Sequence, residues 1–256
     1  MNGAFYIGAI GLDAQQRALE VVANNIANIN TTAFKRSTAR FSELVAPLRD
    51  SNDVVLSQIG TSHLQGVTLN HASIVWSQGA LQQTGQPLDL AINGDGFIEL
   101  MGPSGRSLLW RGGTLKVNSD GYLATGDGMP LRAMISVPQG VTSIAISNDG
   151  TVSAQTGDDN AAQQIGQIEL AMIKSPDSLI DTGNGYFEAG IESQLATVKP
   201  GDDGSGVFAQ GSLETSNAQL TDEMTSILLA QRAFGANAQV VQAGDQLMSM
   251  VNQLRR

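Results

Sequence analysis

Apolar positions recur along this chain at two different periods, and the change of period divides it. Near the start, Phe5, Leu12, Leu19 and Ile26 stand seven residues apart, and Gly8, Gln15, Val22 and Ile29 form a second row three positions on. That a/d spacing predicts a helix of about four heptads. Asn24, Asn25, Asn28 and Asn30, followed by Thr31 and Thr32, should weaken and end it, because short polar side chains compete for backbone hydrogen bonds. Near the other end Leu213, Leu220, Ile227, Phe234, Val241 and Met248 are apolar at an unbroken spacing of seven, widened by Met224, Leu228, Ala238, Leu247, Val251 and Leu254. Asp222 and Glu223 fall where the positive end of a helix dipole would lie, and Arg255 and Arg256 at its negative end. The pattern predicts a helix from about Asn217 to Leu254, roughly 55 Å long at 1.5 Å per residue.

Between these ends the period falls to two. Leu88, Leu90 and Ile92 alternate before Asn93-Gly94-Asp95-Gly96, and Phe97-Ile98-Glu99-Leu100 follows. Asp120-Gly121 separates Leu115-Lys116-Val117 from Tyr122-Leu123, and Asn148-Asp149-Gly150 separates Ile144 and Ile146 from Val152. Asn-Gly and Asp-Gly between alternating apolar residues signal hairpins, since the turn needs positive φ. Residues 36–75 show no clear period, with 50–53 and 60–66 reading as extended or looped chain. The expected fold class is α+β. Long N- and C-terminal helices would form a coiled-coil-like assembly domain, with a central, mainly antiparallel β domain. The boundaries fall at 1–35, 36–75, 76–205 and 206–256.

Composition sharpens the division. The chain has 256 residues and a formal charge of −10. All seven Pro lie between Pro47 and Pro200, and 21 of the 29 Gly between Gly79 and Gly206. Between Trp76 and Ser205 stand 15 acids and 6 bases, which leaves the two ends together nearly neutral. An acidic chain of this kind disfavours broad nucleic-acid binding. With no Cys, disulfides, thiolate nucleophiles and Cys-ligated metals are excluded. Nothing approaches 18 consecutive apolar residues, so no membrane insertion is expected, and the start lacks the pattern of a secretory signal.

Candidate chemistry is sparse. His63 and His71 stand eight apart with no carboxylate pattern nearby, and no nucleophile, zinc or phosphate-loop motif occurs. The Asp-Gly turns lack the alternating acids of a calcium loop, and Asp158-Asp159 and Asp202-Asp203 read as solvated turns. No catalytic, cofactor or metal site is expected, and the chain is not read as an enzyme. The helices could cap their own domain's core or pair as a hairpin. Against that, Gly3, Gly8 and Gly11 interrupt the first helix at ~1 kcal/mol each. The second helix is also longer than its partner can cover. Helices of this kind gain stability from other subunits.

Particular residues carry a resemblance. Ala23-Asn24-Asn25-Ile26-Ala27-Asn28-Ile29-Asn30-Thr31-Thr32-Ala33-Phe34-Lys35-Arg36 resembles the N-terminal signature of bacterial flagellar basal-body rod and hook proteins. Gly11-Leu12-Asp13-Ala14-Gln15-Gln16 looks like the start of the distal-rod branch. Gln78-Gly79 to Thr84-Gly85, then Pro87-Leu88-Asp89-Leu90-Ala91-Ile92 and Gly94-Asp95-Gly96-Phe97, resembles the central segment. Leu213-Glu214-Thr215-Ser216-Asn217, Glu223-Met224 and Gln231-Arg232-Ala233-Phe234 resemble the C-terminal signature. The signature positions singled out are Asn24, Asn25, Asn28, Thr32, Phe34, Ser216, Asn217, Gln231 and Arg232. Three departures stand out. Ala33 replaces a usual Gly, Ala218 a β-branched residue, and Leu109-Trp110-Arg111-Gly112-Gly113 a Tyr-Thr-Arg-Asp/Asn-Gly motif. The distal-rod branch is the nearest in kind and the proximal-rod branch second, and Gln58-Ile59-Gly60-Thr61 looks like the distal-rod linker.

The resemblance implies a structural subunit that polymerises with copies of itself into a helical drive shaft, its terminal helices lining an inner tube and its β domain outside. Leu12, Leu19, Val22, Ile26, Met224, Ile227, Phe234, Val241 and Met248 would supply the assembly interface. It further implies neighbouring rod and hook proteins and the surrounding rings as partners. It places the protein in the flagellar basal body, in a rod crossing the periplasm, exported by the flagellar type III apparatus without a cleaved signal peptide. A ligand-binding β module on helical stalks is the alternative of a different class.

Overall fold

Both seven-residue rows become helices in a computed structural model of the chain, which describes residues 2–43, 67–156, 162–190, 195–202 and 204–254. Helix α1 is Asn2–Ala27 and helix α2 is Leu220–Leu254. The chain divides into two units. One comprises Met1–Ala27, Ser37–Val75 and Gln219–Arg256, and the other Asn28–Arg36 and Trp76–Ala218.

In the first unit α1 runs past Asn24 and Asn25 and stops at a turn where the Thr31 N–H donates to the Asn28 carbonyl at 3.0 Å. Asn25 is tolerated inside the helix because its amide is fully occupied elsewhere. Helix α2 opens where the Gln219 carbonyl accepts the Asp222 and Glu223 N–H groups, three residues after the predicted start. Strand Ser37–Glu43 pairs antiparallel with Val67–Ile74, with a register shift between Thr38 and Arg40. No clean alternation announced this pair. The rest of the segment expected to be extended or looped, including 50–53 and Gln58–Thr61, lies outside the described residues.

The expected coiled-coil-like assembly domain is overturned. Among the described residues each end supplies a single α-helix, and the large heptad side chains Leu12, Leu19 and Ile26 are not the most buried positions of α1. The buried row of α1 is Gly8, Ala14, Ala18, Val22 and Asn25, while Leu12, Leu19 and Ile26 are only half-buried. Knobs-into-holes packing needs large a and d side chains on the shared face. Here small residues fill most of the buried row, with Val22 the exception, and Leu12, Leu19 and Ile26 are less buried.

The second unit is antiparallel β. A six-stranded sheet runs in the order Leu179–Gly183, Tyr186–Ala189, Ser107–Trp110, Phe97–Met101, Leu170–Ile173, Leu195–Val198. A four-stranded sheet runs Val207–Gln210, Asp89–Asn93, Gly112–Val117, Leu123–Thr125. Ala162–Gln167, Thr151–Thr156 and Val141–Ile146 form a third, and Ser212–Glu214 pairs with Leu81–Gln83. Their apolar faces bury Leu90, Ile92, Ile98, Leu100, Leu115, Leu123, Val152, Ile168, Leu170 and Phe208 in one core.

Two of the three predicted hairpins form, at Asp120-Gly121 and Asn148-Asp149-Gly150. The third is corrected. Asn93-Gly94-Asp95-Gly96 does not fold Phe97–Met101 back on Asp89–Asn93; it carries the chain from the four-stranded sheet to the six-stranded one. Gly94 and Gly96 take φ of +115° and +126°, and a side chain on Gly94 would meet the Gly206 Cα at 2.7 Å. Asp95 instead makes a parallel bridge with Ser205.

Candidate assembly site

Helices α1 and α2 lie antiparallel, as three meetings show. Gly8 faces Val241, Gly11 faces Asn237, and Asn25 bonds to Glu223. A Cβ on Gly8 would stand 2.6 Å from Val241 Cγ2, and one on Gly11 2.7 Å from Asn237 Nδ2. The glycines that weaken α1 as an isolated helix are what let α2 approach. On α2, Glu223 and Ala230 are buried and Asn237 and Gly244 half-buried, at an interval of seven.

The predicted interface residues separate on this geometry. Val22 is buried, and Leu12, Leu19, Ile26, Ile227, Val241 and Met248 are half-buried. Met224 and Phe234 are exposed, together with Leu220, Leu228, Leu229, Val240, Leu247 and Met250. Gln231 and Arg232 are exposed on α2, and Asn24 on α1. Of the other signature positions, Thr32 is exposed, Asn28 accepts from the Thr31 hydroxyl, and Ser216 accepts the Ala218 N–H.

At one end of the helix pair sits a polar cluster. Asn25 and Glu223 are each 1% exposed. The Asn25 amide donates to the Ser37 carbonyl at 2.8 Å and to Glu223 Oε2 at 3.1 Å, and its oxygen accepts the Ser37 N–H at 2.9 Å. One side chain thereby ties α1 to the first strand and to α2.

The second unit holds a buried ion cluster built from both signatures. Lys35 Nζ donates to Glu214 Oε1 at 2.5 Å and to the Ser77 carbonyl at 2.9 Å. The Gly79 N–H donates to the same carboxylate at 2.8 Å, and Arg111 Nη2 reaches Glu214 Oε2 at 3.3 Å. Arg111 also donates to the Gly94 and Gly96 carbonyls, stitching the crossover to the cluster, and its guanidinium lies over the Phe97 ring. Phe97 and Phe187 meet Trp76 edge to face. Burial holds the Lys35 ammonium below the usual lysine range, and the Glu214 carboxylate pulls it the other way.

Around the ions the backbone is equally committed. The Ala33 N–H donates to the Glu214 carbonyl, and Asn217 accepts the Arg36 N–H at 2.7 Å while donating to Ser77. The Asn217 N–H in turn donates to the Phe34 carbonyl. Ala33 sits at φ +55°, which accounts for the usual glycine at this position. Gly79 is packed so closely that a Cβ would stand 1.9 Å from the Thr215 carbonyl oxygen.

Sequence reading missed Lys35, Arg111 and Glu214 as a site. They stand up to 179 positions apart, and no local spacing could have paired them. Among the described residues no group of His, Asp and Glu is arranged to hold a metal ion. His63, Asp158, Asp159 and Asp203 lie outside the described residues. A cavity of about 440 Å³ beside Pro87, Val117, Val137 and Ile144 is lined by uncharged residues alone. No helix among the described residues is long and apolar enough to cross a membrane.

Comparison with known proteins gives the class first. Residues 5–35 match the family described as flagella basal body rod protein, 91–154 the flagellar hook protein FlgE/F/G D1 domain, and 209–254 the flagellar basal body rod FlgEFG protein C-terminal. The chain is 35% identical to the flagellar basal-body rod protein FlgG of Caulobacter vibrioides, over 98% of this chain and 99% of that protein. The FlgG proteins of Agrobacterium fabrum and Borreliella burgdorferi are 35% and 32% identical, over 97% and 100% of this chain and 98% and 100% of theirs. This chain belongs to the flagellar rod and hook family, as an FlgG-type member.

Proposed function

We propose that the chain is a structural subunit of the distal rod of the bacterial flagellum, without catalysis, polymerising into the helical shaft that carries torque from motor to hook. The observation that carries this reading is the surface of α2. Leu228 and Leu229 are 58% and 61% exposed, and Met224, Phe234, Val240 and Leu247 are exposed as well, on faces that α1 does not cover. A 35-residue helix that is apolar on several faces belongs in an environment that covers it. Each copy would offer the same faces, and contacts between unlike patches that do not close generate an open filament.

The names of the relatives support the same reading, since they are flagellar basal-body rod proteins. Partners follow from it: further copies of the chain and adjoining rod and hook proteins. Contact with the surrounding rings, passage of the rod across the periplasm, and export by the flagellar type III apparatus without a cleaved leader belong to the same proposal.

The test is complementation of a strain lacking its own distal-rod protein. Leu228→Asp and Leu229→Asp are expected to abolish rods in isolated basal bodies. The purified variants should keep the helix content and tryptophan fluorescence of the native chain. Normal rods from both variants would overturn the reading.

A further inference from the structure

We propose that Asn25 and Glu223 form a register pin that fixes how far α1 lies along α2. Elsewhere the described seam is built mostly of small side chains. Gly8 and Gly11 of α1 face Val241 and Asn237, Ala14 and Ala18 are buried on α1, and on α2 Ala230, Asn237 and Gly244 are buried or half-buried at an interval of seven. Small side chains make shallow ridges, so a displaced pairing meets nearly the same surface. The large side chains Leu12, Leu19 and Ile26 are only half-buried, which leaves Val241, facing Gly8, as the one branched side chain shown against a glycine of α1.

Asn25 and Glu223 break that equivalence. Both are buried, and the Asn25 Nδ2–Glu223 Oε2 bond of 3.1 Å crosses between the helices. Asn25 is itself held to the Ser37 N–H and carbonyl, so it cannot follow α2 if α2 slides. A slip would leave a buried amide proton and a carboxylate oxygen without each other, which costs far more than exchanging one small apolar contact for another. A polar group buried at one position of an otherwise permissive helix interface is an established way to specify register. The in-register pairs obey one rule, since Gly8 with Val241, Gly11 with Asn237 and Asn25 with Glu223 fall on a single antiparallel alignment. The pin therefore fixes how far along α1 each outward side chain of α2 stands.

The absence of Cys makes this measurable by disulfide trapping in the full chain. Gly11→Cys with Asn237→Cys reports the native register. Gly11→Cys with Ala230→Cys, or with Gly244→Cys, reports slips of about 10 Å, beyond disulfide reach in the native alignment. In dilute native protein only the first pair is expected to close within one chain. In the Asn25→Leu/Glu223→Leu background the ratio of displaced to native cross-links should rise about tenfold or more, equivalent to about 1.4 kcal/mol of register preference.

A second background guards against misfolding. Asn25→Asp should suppress the native cross-link by opposing two carboxylates, and adding Glu223→Gln should restore it by returning a donor. Tryptophan fluorescence from Trp76 and Trp110 checks that the β unit is intact throughout. An unchanged cross-linking pattern in the Leu/Leu and Asp backgrounds would overturn the pin, as would failure of the native pair to close. The cross-link reads one isolated chain, so its outcome is independent of whether copies polymerise.

Discussion

Lys35 and Glu214, 179 positions apart in the chain, meet at 2.5 Å with each side chain about 1% exposed. Such a pair is balanced by its hydrogen bonds and punished when broken. Lys35→Met should destabilise the β unit by about 3 kcal/mol, because Glu214 keeps its charge and loses its closest partner. Lys35→Met/Glu214→Leu should cost less than the sum of the two single changes. Urea unfolding followed by tryptophan fluorescence measures both, and additive losses would mean the pair is not coupled.

Ala33→Gly is expected to stabilise the chain by about 0.5–1 kcal/mol. It releases an L-residue from the left-handed region at a cost in unfolded-state entropy smaller than the strain removed. The urea midpoint should rise at an unchanged slope.

Gly79→Ala should do the opposite, by about 3 kcal/mol or more. The new methyl would collide with the Thr215 backbone, which cannot turn aside as a flexible side chain could. Loss of the Gly79 N–H bond to Glu214 would follow from any shift that relieves the clash.

Tyr186 gives a pH signature. Burial, together with Asp127 accepting its hydroxyl at 2.7 Å, pushes its pKa up to about 12 from an ordinary 10.0. The unfolded chain releases this proton first, so the stabilisation is intact below pH 10 and is lost as pH rises from 10 through about 12. Titration of tyrosinate absorbance should show a late-ionising component, and Tyr186→Phe should remove it.

Phe234→Asp tests whether the outward face of α2 is idle within one chain. Phe234 is exposed, so thermal unfolding of the purified variant should shift by no more than about 0.5 kcal/mol equivalent. A large loss would mean that Phe234 completes the chain's own packing.

The two helices were legible because thirty residues of periodic pattern average over local exceptions. The faces they use were not. Heptad counting placed Gly8 and Val22 on a shared row but missed Ala14 and Ala18, which are buried, while the large Leu12, Leu19 and Ile26 are only half-buried. The β unit was readable at Asp120-Gly121 and Asn148-Asp149-Gly150, where turn and strands are adjacent. It was misread at Gly94 to Gly96, because positive φ reports a local backbone shape and not which sheet receives the next strand. The strands Ser37–Glu43 and Val67–Ile74 lack regular alternation and escaped notice. Lys35, Arg111 and Glu214 were invisible for a different reason: a pairing across most of the chain leaves no trace in local spacing.

The short stretch Asn28–Arg36 belongs with Trp76–Ala218, although it directly follows α1 and precedes a strand of the other unit. The β unit therefore cannot be cut out as one continuous piece. A fragment of 76–218 would lack the lysine that Glu214 was built around. Timing follows as well. Synthesis from the N-terminus presents Lys35 early and Glu214 late, and closing so long a loop is entropically slow. The unit becomes whole only when the polypeptide has been made as far as Ala218, a clock set by topology.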